Sequence, residues 1–461
     1  MIGTLFAENI PDTIEPNIKS IVLLAGVDVT SAAQAASESR GKIQGYGSQS
    51  SGLSSFIVDG RPVRSMDEWG VSTVEEYEAI RCSVGPMWRT SAAATAGVVY
   101  STLCIDAKCL PDAYRDVARY AIFGGPTLCV DSRPVESAYM VDRVAAYLYE
   151  MSKPMPVARD WAHTTNSRAV ERLVCSIGEG RTDTYGIVDV TVNVPLSLPF
   201  GPLPVRVGGR VQYPVGRVRG IWPAAMLART MDAWAHNGVT YDIAHRGAFT
   251  STARTMLQVF EWLSSLKEVC KPAAKAIYTR VYGIMCDGPQ RVATVRPHSV
   301  MWRTVERKRS RMPTCRPDIA GAIAGGNHAE TMALAGVNPD DTLLTHVDAV
   351  LLRGPQDYPR TAPVGQWAVK AQGPARALAA GVYRLAGGTK FSGVPAAQAV
   401  GAFNEVATRL DATGALPVFR ADGRRTYNNA KETPPVAVDD APVCQFGSGF
   451  TLGGWEPMKK D

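Results

Sequence analysis

The stretch from Trp222 to Met285 constrains the chain most, because it holds two long amphipathic segments separated only by Lys271-Pro272. Pro223 follows Trp222, where a missing N–H does no harm at a helix start. Met226, Leu227, Met231 and Trp234 then recur at helical spacing and predict one apolar face. Asn237-Gly238 ends that helix with residues that tolerate positive φ. A second helix is expected from Thr250 or Ser251, both good caps. Met256, Val259, Phe260, Leu263 and Leu266 form its stripe, while Arg254, Glu261, Lys267 and Glu268 fall elsewhere. Pro272 breaks the run, which resumes through Ile277, Val281 and Ile284. The pattern predicts a buried helical core.

The chain has 461 residues, 46% hydrophobic and 20% charged, which suits a globular protein of several domains. Its net charge of +6 permits contact with an acidic polymer without requiring it. Nine cysteines are scattered without a CxxC, and read as reduced residues of an intracellular protein. The first residues lack a basic region and turn acidic at Glu8, unlike a signal peptide. The longest apolar run, 21–27, is too short to span a bilayer, so no membrane contact is expected.

The expected fold class is α+β, predominantly helical with inserted antiparallel β-hairpins, and not a clean jelly roll. Residues 1–52 read as an N-terminal arm and linker, ending in the Gly/Ser-rich 45–52. Residues 53–183 read as a helical region. Thr73-x-x-Glu76 forms a capping box there, and a helix is expected over 134–151. Residues 184–221 form a β-rich basic insert. Val188, Val190, Val192 and Val194 alternate with polar residues, and Arg206, Arg210, Arg217 and Arg219 give a basic face. The central helical core spans 222–290. Residues 291–420 form a mixed α/β region with a basic segment, with a strand at 342–352 and helices at 366–386 and 395–411. Residues 421–461 read as an extended C-terminal arm.

No catalytic, cofactor-binding or metal-binding residue is assigned. Gly-Lys-Ser/Thr, G-x-S-x-G and H-E-x-x-H are absent from the sequence. His328-Ala-Glu330 matches half of a zinc deaminase signature, but no Pro-Cys-x-x-Cys follows. A capping box at a helix start, with Asn327 as cap, is the expected explanation. The densest local signal is basic: Arg303, Arg307, Lys308, Arg309, Arg311 and Arg316, headed by Trp302. Guanidinium forks suit phosphate, so these residues are candidates for nucleic-acid or subunit contact. In the tail, Tyr427, Phe446, Phe450 and Trp455 are candidates for an arm that orders against a neighbouring subunit.

Terminal arms, 31 Pro and 42 Gly, and a helical body with strand inserts resemble the coat and shell-clamping proteins of icosahedral double-stranded RNA viruses. The resemblance is one of general character and carries no motif. It implies a non-enzymatic capsid subunit that assembles with itself and other capsid proteins, contacts RNA, and resides in the virion or the host cytoplasm. The alternatives are a nucleic-acid-binding protein using the 303–316 cluster, or an enzyme whose site is not visible in sequence.

Overall fold

The computed structural model describes residues 3–11, 13–48, 52–89, 91–106, 108–207, 210–286, 290–297, 299–305, 315–391 and 396–413. Contacts divide the described residues into two units, one within Met1–Cys109 and Gln258–Cys315, the other within Leu110–Leu257 and Arg316–Ala421. The stretch expected to be one helical core is therefore shared between them. The fold class is α+β.

In the first unit, residues expected to form an arm build a sheet instead. Its seven strands run in the order Gly3–Ala7, Ile18–Leu23, Arg61–Ser65, Gly52–Val58, Ile43–Ser48, Gln290–Arg296 and Ser299–Val305. The first three are mutually parallel. The Ser/Ala-rich segment expected to be a loop is helical over Val29–Arg40, because the Asp28 side chain accepts from Ser31 N–H and caps it. The helix lays Ala32, Ala33 and Ala36 into a core with Ile21, Leu23, Phe56 and Val63. The capping box at Thr73 opens the helix Val74–Val84 as expected. The helix Ala92–Leu103 packs on Lys271–Met285.

The second unit carries the elements that matter below: β1 (Val135–Arg143), α1 (Ala146–Glu150), β2 (Thr184–Val194), β3 (Gly216–Pro223), α2 (Ala224–Trp234), β4 (Thr240–Ala253), α3 (Pro317–Val337), β5 (Thr342–His346), β6 (Ala349–Arg353) and β7 (Trp367–Ala379). One sheet has the order β3-β2-β4, extended by Met155–Pro156. A seven-stranded antiparallel sheet runs Gly388–Phe391, Val382–Leu385, β7, β1, β6, β5, Thr127–Cys129. Two expected helices are strands here: residues 134–151 hold β1 and only the short α1, and 366–386 hold β7 and Val382–Leu385. The helix expected from Thr250 or Ser251 is present but starts later, as Leu257–Val269 with Val259, Leu263 and Leu266 buried, because Thr250 and Ser251 belong to the end of β4. In each case pairing with a neighbouring strand outweighs a helical spacing of apolar residues: β1 lies between β6 and β7, and β4 pairs along most of β2. The helix over 395–411 is present as Ala396–Thr413.

The helix α3 runs through the interior, with most of its residues buried. Its Ala and Gly content lets neighbours approach closely. Trp234 packs over Gly336 and donates its indole N–H to the Met332 carbonyl at 2.8 Å. At Gly326 the space a Cβ would take is filled by the Glu150 carboxylate. Glu150 is 2% exposed and is held by Arg143 and Lys153, each at 2.8 Å. A side chain at position 326 would push that carboxylate off its cations. Gly326→Ala is expected to cost about 1–3 kcal/mol, the range for overpacking, measured by urea denaturation; an unchanged midpoint would mean that Glu150 moves aside freely.

Candidate nucleic-acid interface

The strand β2 is the central strand of its sheet, and its alternation sorts two faces. Val188, Val190, Val192 and Val194 enter the main core, as the sequence pattern predicts. The opposite face is apolar at one end, where Tyr185 and Ile187 meet Trp161 and Val117. Farther along it turns polar at Asp189, Thr191 and Asn193. The flanking strands set cations opposite these residues: Arg219 is in register with Thr191, Arg217 with Asn193, and Arg246 with Asp189.

Asp189 is 2% exposed. Arg219 grips it in a fork, Nε to Oδ1 and Nη2 to Oδ2, both at 2.9 Å. Arg246 Nε adds a bond to Oδ2 at 3.1 Å. A buried carboxylate keeps its charge only when so compensated. Beside it Arg217 donates to Asp242 at 2.7 Å. The register shift between Asp189 and Val190 leaves His245 as an extra residue on β4. This bulge brings His245 onto the same face as its neighbour Arg246, and its Nε2 lies 2.9 Å from Thr191 Oγ1. Burial, then the nearby Arg219, lower the His245 pKa, with Arg246 and Arg217 acting the same way and Asp189 opposing them. Three guanidinium groups thus face two carboxylates on one shelf. The Arg217 and Arg219 side chains remain 48% and 43% exposed. Exposed guanidinium edges on a pre-ordered sheet suit phosphate oxygens.

A second feature lies at the β5–β6 turn. Val347 sits at φ 65°, a left-handed conformation that a β-branched residue rarely adopts. Three contacts hold it there. Its N–H donates to the Pro126 carbonyl at 2.7 Å, and its carbonyl accepts from Asn327 at 3.0 Å and Thr331 at 3.5 Å. Such over-determined strain clusters at functional positions. The turn presents His346, which accepts from Lys390 Nζ at 2.8 Å, and Asp348.

The residues singled out from sequence fare differently. Arg303 lies on the strand Ser299–Val305, whose backbone pairs with Gln290–Arg296. Arg307, Lys308, Arg309 and Arg311 fall outside the described residues, as do Tyr427, Phe446, Phe450 and Trp455. Arg316 is not on a surface, a correction to the expected contact role. It is fully buried, donating to both Asp318 oxygens at 2.9 and 2.8 Å and to the Pro156 carbonyl at 2.7 Å. Asp189 and Arg246 escaped sequence reasoning. The available signal was a lone carboxylate within an alternating Val strand, next in sequence to the arginine-bearing strand β3.

No family model matches the chain, and no curated protein matches it. Among solved structures it is similar to the Phi29 DNA polymerase in an orthorhombic crystal form, with a TM-score of 0.58 at 12% identity over 82% of this chain and 84% of that one. It is also similar to Phi29 DNA polymerase complexed with single-stranded DNA, with a TM-score of 0.50 at 13% identity over 67% and 61%. At such identity the likeness is one of fold. It nevertheless overturns the reading as a capsid subunit of a double-stranded RNA virus, and with it the expectation of a non-enzymatic chain. The expectation rested on the lack of linear motifs, and a site assembled from distant strands leaves none.

Nucleotidyl transfer is commonly supported by divalent cations held on carboxylates. Among the described residues no three His, Cys, Asp or Glu side chains group as cation ligands, and both Asp189 oxygens are taken by guanidinium groups. The described donors do not fit a resident cation.

His328 is not at a helix start either, since α3 begins at Pro317. It lies in mid-helix with its ring stacked on Tyr213, centroids 5.8 Å apart, and Nε2 3.3 Å from the Pro202 carbonyl. Glu330 instead pairs with Arg229 at 3.4 Å. Burial depresses the His328 pKa to about 4, against the pull of the Pro202 and Gly124 backbone. The unfolded chain therefore takes up this proton first. Stability conferred by the neutral ring is complete above the ordinary pKa of about 6.5 and is lost as pH falls towards 4, by about 3 kcal/mol. Denaturation titrated over that window is expected to show the slope, and His328→Gln to flatten it.

Proposed function

We propose that the chain works on nucleic acid, binding a strand on the polar shelf of the β3-β2-β4 sheet and serving strand synthesis. The observation that carries the reading is the fold likeness over four-fifths of the chain to a protein named as a DNA polymerase. That protein is also described in complex with single-stranded DNA. The shelf supports the reading from its own chemistry. Arg217 and Arg219 present half-exposed guanidinium groups, fixed by Asp242 and Asp189, at strand spacing along one face. Pre-ordered cations lose little freedom on meeting phosphate. The basic run of Arg303, Arg307, Lys308, Arg309 and Arg311 offers further cations for the same partner, and the net charge of +6 agrees with it.

Fluorescence anisotropy with labelled single-stranded DNA tests the binding. The logarithm of affinity is expected to fall with the logarithm of salt, and each arginine removed in Arg217→Ala and Arg219→Ala to flatten the slope by about 0.7. Absence of binding at low salt, or an unchanged slope in the double variant, would contradict the shelf. Extension of a primed template with nucleotides and magnesium ions is the activity expected of the fold; binding without extension would leave a strand-binding role alone.

A further inference from the structure

A cleft of about 450 Å³ opens in the second unit, lined by residues other than those of the polar shelf. It is within the range of about 300–1,000 Å³ typical of small-ligand sites. Three aromatic side chains, Tyr149, Tyr358 and Trp367, contribute to its walls. Two cations, Arg143 and Lys153, and the polar Gln366 and Glu330 also line it.

The cleft is built rather than incidental. The carbonyl of Gly365 accepts from Arg143 Nε at 3.0 Å, and its amide donates to the Val144 carbonyl at 2.7 Å. Gly365 lies flat against the Tyr149 ring, at φ 85°, where no side chain fits. Val369 N–H binds the Pro359 carbonyl at 2.8 Å, which fixes the segment that bears Tyr358. The Arg143 guanidinium carbon and Lys153 Nζ both stand over the Tyr149 ring, 5.1 and 5.2 Å from its centre. Both also contact the same buried carboxylate, Glu150, so two cations share one anion beside the aromatic wall. The Lys153 side chain is 39% exposed, so its ammonium can meet an arriving anion. Glu330, which also lines the cleft, pairs with Arg229, a cation it shares with the exposed Asp232.

Flat aromatic walls, the partly exposed Lys153 ammonium and a side-chain amide together match a base carrying a phosphate. We propose that this cleft is a nucleotide subsite, in which the base stacks on the aromatic side chains and the phosphate meets Lys153. The proposal rests on the strand-binding reading and adds a second contact point to it. The nucleotide has two sources with the same chemistry, a free mononucleotide or one residue of a bound strand.

Calorimetry with adenosine monophosphate, inorganic phosphate and a short oligothymidylate separates them. Trp367→Leu and Lys153→Gln are each expected to weaken binding by about tenfold or more. If Trp367→Leu does not fold, as judged by its melting curve, Tyr358→Leu replaces it, and Gln366→Ala on the exposed rim gives an independent change. Binding of the mononucleotide assigns a free-nucleotide site; binding of the oligonucleotide alone, with the same losses, assigns a strand residue. Inorganic phosphate binding as tightly as the mononucleotide, or no loss in the variants, would overturn the subsite. Where the mononucleotide does not bind, strand binding that falls in Arg217→Ala but not in Trp367→Leu and Lys153→Gln rejects the cleft and leaves the shelf; indifference to all three rejects both.

Discussion

The larger unit depends on how closely other elements can approach the buried helix α3. A helix with bulky residues at its contact positions would hold its neighbours away. Here Gly326 and Gly336 remove the side chain where Glu150 and Trp234 arrive. The consequences spread from there. Glu150 can enter the interior, and it holds Arg143 and Lys153, which line the aromatic cleft. Asn327 and Thr331, on the same helix, hold Val347 in its strained turn and so fix where His346 and Asp348 point. Arg316 and Asp318 at the helix start form a buried pair that ties it to Met155–Pro156 at the edge of the other sheet.

Charge in this unit is organised by pairing inside and by surplus at the surface. Buried Glu150 and Asp189 each hold two cations, and the second cation in each case is drawn outward. A buried carboxylate with two partners satisfies its desolvation penalty and still leaves positive charge at the boundary. The device recurs at Asp131, held by Arg133 and Arg353, and the arginine hydrogen bonds keep its carboxyl well below the usual range despite burial. The acids thereby serve as anchors that order arginine and lysine side chains before any partner arrives.

Much of this was legible where a single local rule decides. The capping box at Thr73 and the alternating valines of β2 are local statements, and both hold. Periodicity misled where a segment is apolar enough for either structure. Residues 135–143 and 367–379 carry Ala, Met and Val at spacings that fit a helix, yet they pair with each other across the chain, and their other neighbours are Ala349–Arg353 and the hairpin partner Val382–Leu385. The N-terminal arm and linker expected over 1–52 gives way, among the described residues, to a helix capped by Asp28 and a sheet that takes in Ile21 and Leu23. The candidate site was half visible. Arg217 and Arg219 stood out as a basic face, while Asp189 became meaningful only once Arg219 and Arg246 were seen to close on it. Arg316 showed the reverse error: it is close in sequence to a basic run, but burial with Asp318 takes it out of any surface.

Arginine footprinting with phenylglyoxal tests the central claim most directly. In the free protein Arg217 and Arg219, both nearly half exposed, and Arg181, with a side chain 54% exposed, should all be modified. Saturating single-stranded DNA is predicted to protect Arg217 and Arg219 and to leave Arg181 reactive. Equal modification of Arg217 and Arg219 with and without the strand, under conditions where binding is otherwise detected, would contradict the account.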